Sequence, residues 1–289
     1  LPVTMPSPAT GDTEDRKIWS PVAPRFRYRN RHSLNWRALE DRIVRLNEQY
    51  RHSPWRCFGN EAKCALLLRA GLRVPGSLDF SVPAGFEAPQ FDRFLVRPGI
   101  EPIVYTNWQR FSAWQIDQRW IERAAALLTG TSRKMRSAGV DKPAICGLAP
   151  MRYARLDDIP SWPEAIEVIH SCEGLTPVQE AVLTHATFVL YHPLDDGNGR
   201  VARSLFHASL HRRDQVDAPF LPLGPSFYSA SYLKLGLLRR LSQTGDWEAY
   251  LDGVHPIVEF AISLQEHVDD ADALSGSISA LSQTMTSMD

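Results

Sequence analysis

The stretch that most restricts the fold runs from Thr176 to Ala208. Thr176-Pro-Val-Gln179 has the spacing of a capping box, with proline at the first helical position, and so marks a helix start. Ala181, Val182, His185, Phe188 and Val189 then recur at helical spacing and face a core. After a short polar link, Val201, Leu205 and Ala208 begin a second apolar face. The link itself, Tyr191-His-Pro-Leu-Asp-Asp-Gly-Asn-Gly-Arg200, is therefore a tight loop between two buried helices, and it ends at the N-terminus of the second.

Such a loop has specific chemical uses. A helix N-terminus presents unpaired N–H groups and partial positive charge. A Gly-Asn-Gly turn just ahead of it lets the backbone fold close to a ligand, with several amides pointing one way, which suits phosphate. Arg200 and Arg203 are three apart and reach toward one side of that helix start, and arginine grips phosphate in a bidentate way. Asp195 and Asp196 offer hard oxygens, and magnesium is bound through one or two carboxylates plus phosphates. His192, four residues ahead of Asp196, is a candidate general base. A calcium loop is excluded. Counting from Asp195, glycines occupy the third and fifth positions and Phe206 stands where the bidentate Glu belongs. A P-loop fails for want of Gly-Lys-Ser/Thr.

Net charge is −1 across 289 residues, which gives no basic excess for nucleic acid. The one basic run, Arg25 to Arg31, is short and reads as a solvated arm. No run reaches the ~18 apolar residues that span a bilayer, and no signal peptide opens the sequence. Cys57, Cys64, Cys146 and Cys172 form no C-x-x-C pair and are expected as free thiols in a reducing cytoplasm.

Elsewhere helical signals dominate. Residues 1–22 are a Pro-, Ser- and Thr-rich flexible lead, and 23–109 a helical N-terminal extension. Ser33 caps a helix with Trp36, Leu39, Ile43, Leu46 and Tyr50 inward, and Asn60 opens a second that ends at Gly71. Residues 72–110 hold Pro and Gly every few positions and read as loop. Ile116, Trp120, Ala124, Leu127 and Leu128 mark a helix that stops at Gly130. Ser161 is expected to cap another, with Ile166 and Ile169 inward. Two more are expected at 229–243 and 246–268, with Asp246 as a cap and Pro256 kinking or splitting the last. Residues 269–289 read as a flexible, at most weakly helical tail.

The run His192-Pro-Leu-Asp-Asp-Gly-Asn-Gly-Arg-Val-Ala-Arg203 resembles the signature of the Fic family, H-P-F-x-[DE]-G-N-G-R-x-x-R. His192, Asp196, Gly197, Asn198, Gly199, Arg200 and Arg203 agree with it. Leu194 departs, where the family carries Phe. The likeness extends over about 110–268, through His185-x-x-Phe188-x-x-Tyr191 before the loop and Gly245-Asp-Trp247 after it.

That resemblance implies a mostly α fold, a Fic-type helical bundle with a short β-hairpin flap beside the site. It also implies transfer of AMP from ATP to a Ser, Thr or Tyr hydroxyl of a target protein. His192 would be the base, Asp196 would hold Mg²⁺, and Gly197, Asn198, Gly199, Arg200 and Arg203 would bind the phosphates. Tyr232 is a candidate for the base pocket, and Ala144 to Arg155 for the flap. UMP or phosphocholine transfer, removal of AMP, and a non-catalytic binding module remain alternatives. Neither nucleic acid nor membrane is an expected partner. A cytoplasmic location is expected, with delivery into a host cell left open.

Many members restrain themselves with a Glu in [ST]-x-x-x-E-[GN] that pairs with the second motif Arg. Thr10/Glu14, Thr176/Glu180 and Thr244/Glu248 have the first spacing, but none completes the motif. The helix from Asn60 places Arg69 near the expected Glu. The expectation is therefore no self-restraint of the usual kind, with a chain active as made or a separate antitoxin-like inhibitor.

Overall fold

A computed structural model of the protein describes residues 33–51, 60–69, 117–139, 141–142, 151–217 and 220–286. The basic run at 25–31, the stretch 72–110, Ile116, Cys57 and Cys146 lie outside the described residues.

The described chain is mostly helical, in the order α1 (Ser33–Tyr50), α2 (Asn60–Arg69), α3 (Gln118–Thr129), β1 (Asp141–Lys142) and β2 (Met151–Arg152). A 3-10 turn over Leu156–Ser161 follows, then α4 (Trp162–His170), α5 (Pro177–Tyr191) and α6 (Asn198–Arg212). The chain then forms α7 (Leu223–Ser229), α8 (Ser231–Thr244) and α9 (Trp247–Thr286).

The centre is α5 against α6. Thr176 accepts from the Gln179 N–H while the Gln179 side chain accepts from the Thr176 N–H, which completes the expected capping box. Such a cap contributes about 1 kcal/mol. Val178, Leu183, Phe188, Val201, Leu205 and Phe206 are all buried between and around these two helices. The inward residues of α1 are buried as expected: Trp36, Leu39, Ile43, Leu46 and Tyr50 join the same core. Glu40 Oε1 accepts from the Val178 N–H (3.3 Å), so α1 also closes the exposed start of α5. Arg42 is held by Glu266 and Ser263 of α9, fixing α1 on its other side. Cys64 and Leu68 of α2 form a smaller cluster with Phe260, Leu264 and Val268 of α9. Cys64 and Cys172 are free thiols.

Several ends differ from expectation. Ser161 stands at the N-cap of α4 but makes no side-chain cap bond. Its hydroxyl donates instead to Asp158 O (2.8 Å), because the residues ahead of it are already a 3-10 turn with carbonyls to satisfy. α3 takes its cap from Asp117, which accepts from the Trp120 N–H at 2.7 Å. α9 is not split at Pro256. Val254, Ile257 and Val258 around it are buried, and that packing offsets a proline cost of about 3 kcal/mol. Asp246 caps α9 as expected, accepting from the Ala249 N–H at 2.9 Å. Helical backbone then continues to Thr286, over the range read as a tail. No described helix is long and apolar enough to cross a membrane.

Candidate active site

α5 ends in an unusual way. His192 is its C-cap and adopts a left-handed backbone, φ 47° and ψ 54°, which non-glycine residues seldom do. Its N–H still reaches Phe188 O (3.0 Å). The turn it makes points the chain into the loop, and its ring lies over Tyr153 at 4.0 Å between centroids.

A buried arginine holds this turn. Arg136 donates to His192 O (2.7 Å), Ala138 O (3.0 Å), Tyr191 O (3.3 Å) and Ala154 O. Four carbonyls around one guanidinium fix the end of α5, the segment after α3 and the segment after β2 at one point. Backbone bonds add to this. Asp195 N–H donates to Lys134 O (3.0 Å) and Arg136 N–H to Pro193 O (2.8 Å), with an antiparallel bridge between Met135 and Leu194. Leu194 is fully buried, and its own N–H and C=O pair with the Asn198 side-chain amide at 2.9 and 2.8 Å. The loop is therefore rigid with Leu where the family has Phe. The Asn198 amide spends its side chain on that brace, leaving its backbone N–H at the first turn of α6.

Gly197 precedes α6 at φ 86°, and a Cβ there would stand 2.9 Å from Thr129 Cγ2. Both strain and contact oppose a side chain. Gly197→Ala is expected to lower stability by about 2–4 kcal/mol. Gly199 lacks positive φ, and a Cβ there would meet Arg203 Nη1 at an ordinary 3.6 Å, so Gly199→Ala serves as the control. Urea unfolding midpoints check the pair, and equal midpoints for both variants would contradict the account.

These elements enclose a cavity of ≈ 780 Å³. The loop and α6 contribute His192, Asp195, Asp196, Gly197, Asn198, Gly199, Arg200 and Arg203 to its wall. Thus every motif residue carrying candidate chemistry meets in one place. The structure adds Arg133, Tyr153, His185, Phe227 and Lys234. His185 stacks on Phe227 (4.6 Å, 12°) and is fully buried, which holds its pKa well below the usual imidazole value. Lys234 Nζ stands 5.6 Å from the Phe227 ring centre. Tyr232 lies on α8, but its side chain is outside the described residues.

Arg203 is 7% exposed. Burial pulls its pKa down, and the negative charge of Glu61 pushes it back up. Glu61 sits in the first turn of α2, and its Oε1 accepts from the Gly224 N–H (3.0 Å). A Cβ on Gly224 would come within 2.9 Å of that oxygen, so glycine there admits the carboxylate. Sequence reasoning missed Glu61, because Cys57 stands four residues before it and Ala62 follows, outside the [ST]-x-x-x-E-[GN] pattern. The signal available was an acidic residue opening the helix at Asn60. Glu180, by contrast, lies at the far end of α5, paired with Arg213 (2.7 Å). His170 is beside it, its pKa brought to about 4 by burial and by Arg212 and Arg213. Glu248 is exposed on α9, the side chain of Arg69 is outside the described residues, and so are Thr10 and Glu14.

Among the described residues no three His, Cys, Asp or Glu gather as a metal cage. Asp196 alone fits the other pattern, Mg²⁺ bound by one carboxylate and completed by ligand phosphates. Its Oδ1 accepts from the Gly197 N–H (2.7 Å), and its Oδ2 is paired with Arg133 (2.8 Å).

The Fic/DOC family model matches residues 114–210, which hold α3 to α5, the whole loop and α6 up to Leu210. This segment is a Fic domain. The fold around it resembles a Fic family protein from Desulfovibrio desulfuricans G20, with 16% identity, 88% of this chain and 77% of that chain covered, and a TM-score of 0.52. A Fic domain containing signaling protein from Bacteroides thetaiotaomicron VPI-5482 aligns at 18% identity over 81% of this chain and 90% of that one, TM-score 0.46. Fic-1 from C. elegans aligns at 15% over 84% and 73%, TM-score 0.48. At 16% identity the likeness to the Desulfovibrio protein is one of fold. No curated protein matches the chain. The Fic family includes transferases, and the Fic domain here is helical as that family's is.

Proposed function

We propose that the chain transfers AMP from ATP to a Ser, Thr or Tyr hydroxyl of a target protein. The observation that supports this best is the single cavity lined by His192, the start of α6, Arg200 and Arg203. A base thus faces a phosphate cradle across a space of nucleotide size. In the proposed step the target hydroxyl oxygen bonds to the α-phosphorus as the α–β bridge breaks. Its proton goes to the His192 imidazole, and pyrophosphate carries away the bridging electrons. The N–H groups at the start of α6 and the two guanidiniums stabilise the charge that gathers on the phosphates. Asp196 would hold Mg²⁺, which would supply further neutralisation of the phosphate charge.

β1 and β2 pair antiparallel, with Asp141 opposite Arg152 and Lys142 opposite Met151. The eight residues that join them, 143–150, are outside the described residues and hold most of the flap candidate. Met151 and Tyr153 reach the cavity wall. A target segment adding to this ladder as a strand would bring its hydroxyl toward His192.

Glu61 acts as the chain's own restraint in this reading, by holding Arg203 in its field and away from an outer phosphate. A separate inhibitor chain is then unnecessary.

The donor is read directly by intact-mass spectrometry after incubation with Mg²⁺ and each nucleoside triphosphate in turn, using the Glu61→Gln variant. The expected result is a gain of one AMP unit with ATP, absent when His192 is also replaced. A gain with UTP alone would change the donor. No gain with any donor, with and without a hydroxyl-bearing lysate, would remove the transferase reading.

A further inference from the structure

The segment after α3 reads Thr131-Ser-Arg-Lys-Met-Arg136. Its pairing with the motif loop is antiparallel, with Met135 opposite Leu194 and Lys134 O bonded to Asp195 N–H. Carried one step further, this register sets residue 133 opposite residue 196. Opposite charges meet there: Arg133 Nη2 lies 2.8 Å from Asp196 Oδ2. Thr129 Oγ1 accepts from Arg133 Nε (3.4 Å) and steadies the guanidinium from the end of α3. The pair is thus delivered by backbone register, not by two long side chains meeting in solvent.

Asp196 has little else to offer. Oδ1 already accepts from Gly197 N–H, and Arg133 holds the other oxygen of this cavity-lining carboxylate. A divalent cation and the guanidinium therefore want the same atom. Arg133 also lines the cavity, with Arg200 and Arg203 in its wall. Once off the carboxylate, it has phosphate oxygens as its next acceptors.

We propose that Arg133 is a built-in counter-ion of the metal-binding carboxylate. It competes with divalent cation for Asp196, sets the Mg²⁺ concentration the site requires, and passes to the ligand's phosphates when the cation arrives. This rests on the nucleotide reading given above. The function is one of positioning, since in this account Arg133 transfers no proton and forms no bond to the reacting atoms. Asp196 is 62% exposed and Arg133 26%, so the competition is modest. Solvent screening of such a pair leaves an effect of about fivefold in cation concentration.

The test is calorimetric titration of the full chain with α,β-methylene-ATP, whose α–β bridge resists cleavage, so binding is read without turnover. Wild type, Arg133→Gln, Arg133→Ala and Arg133→Lys are compared in EDTA and across a Mg²⁺ series, with circular dichroism confirming that each folds. In Arg133→Gln and Arg133→Ala the Mg²⁺ concentration giving half the affinity gain is expected to fall about fivefold. Affinity at saturating Mg²⁺ is expected to fall as well, because the phosphate contact that Arg133 makes once released is lost. Arg133→Lys should stay near wild type, a rescue that a purely structural role would not produce. Nucleotide binding with an unmoved Mg²⁺ midpoint would overturn the inference alone. Absence of nucleotide binding by every protein, with and without Mg²⁺, would overturn the nucleotide reading and this inference with it.

Discussion

His192→Ala is expected to lose at least 10²-fold in transfer rate while nucleotide affinity stays within about twofold, since a positioned base contributes roughly 10²–10⁴. The two effects separate because the imidazole acts on the attacking hydroxyl, whereas the phosphates meet the start of α6, Arg200 and Arg203. One complication is local. His192 sits at φ 47°, and an alanine there bears left-handed strain of about 1–2 kcal/mol. A rate loss from a loosened loop would look similar. His192→Asn controls for this, because Asn tolerates the left-handed region and cannot act as the base. Arg136 would still hold the carbonyl of residue 192 in both variants. Single-turnover rates and calorimetric affinities for the two variants check the argument. A native rate in either would remove His192 from the mechanism. A loss in Ala that Asn restores would assign the residue to backbone geometry.

Much of the site was legible because its signals are local. The capping box at Thr176, the helical spacing through Phe188, and the glycines before Arg200 all sit within one stretch of chain, and each acts over three or four residues. Trp36 to Tyr50 likewise declared a buried face by period alone. What escaped was set by register or by distant contact. Arg133 and Arg136 lie in a segment with no regular period, and their roles follow from the bridge of Met135 to Leu194. Nothing in Thr131 to Arg136 announces a partner some sixty positions later. α7 escaped for a different reason. Gly224 and Pro225 argue against a helix locally, yet Leu223 and Phe227 are buried, and that packing overrides propensity. The motif spacing pointed to Arg69 and passed over Glu61, which stands in the first turn of α2. The contact to Gly224 spans 163 residues and leaves no mark on either local sequence.

That contact carries the second large effect. Glu61→Gln is expected to raise transfer rate by about tenfold, at saturating target and limiting ATP. Arg203 is buried, and its charge is favoured there by the field of Glu61. A carboxylate in that place competes with an incoming phosphate for the same cation. Glu61 acts on Arg203 through its charge, and losing about 1.4 kcal/mol of that attraction corresponds to the tenfold figure. Gln is the informative choice because its carbonyl can keep the Gly224 N–H bond while the charge goes. Stability should change little. Glu61 Oε2 is buried with no hydrogen-bond partner among the described residues, so the amide in its place breaks no second hydrogen bond. Glu61→Ala removes both charge and bond, and it should match the rate gain with a lower melting temperature. A gain in Gln thus assigns the restraint to charge on Arg203. A gain in Ala alone would assign it to the α2–Gly224 attachment as a steric lid. Unchanged or lower rates in both would show that Glu61 supports the site instead of restraining it, and would return the control of activity to a separate chain.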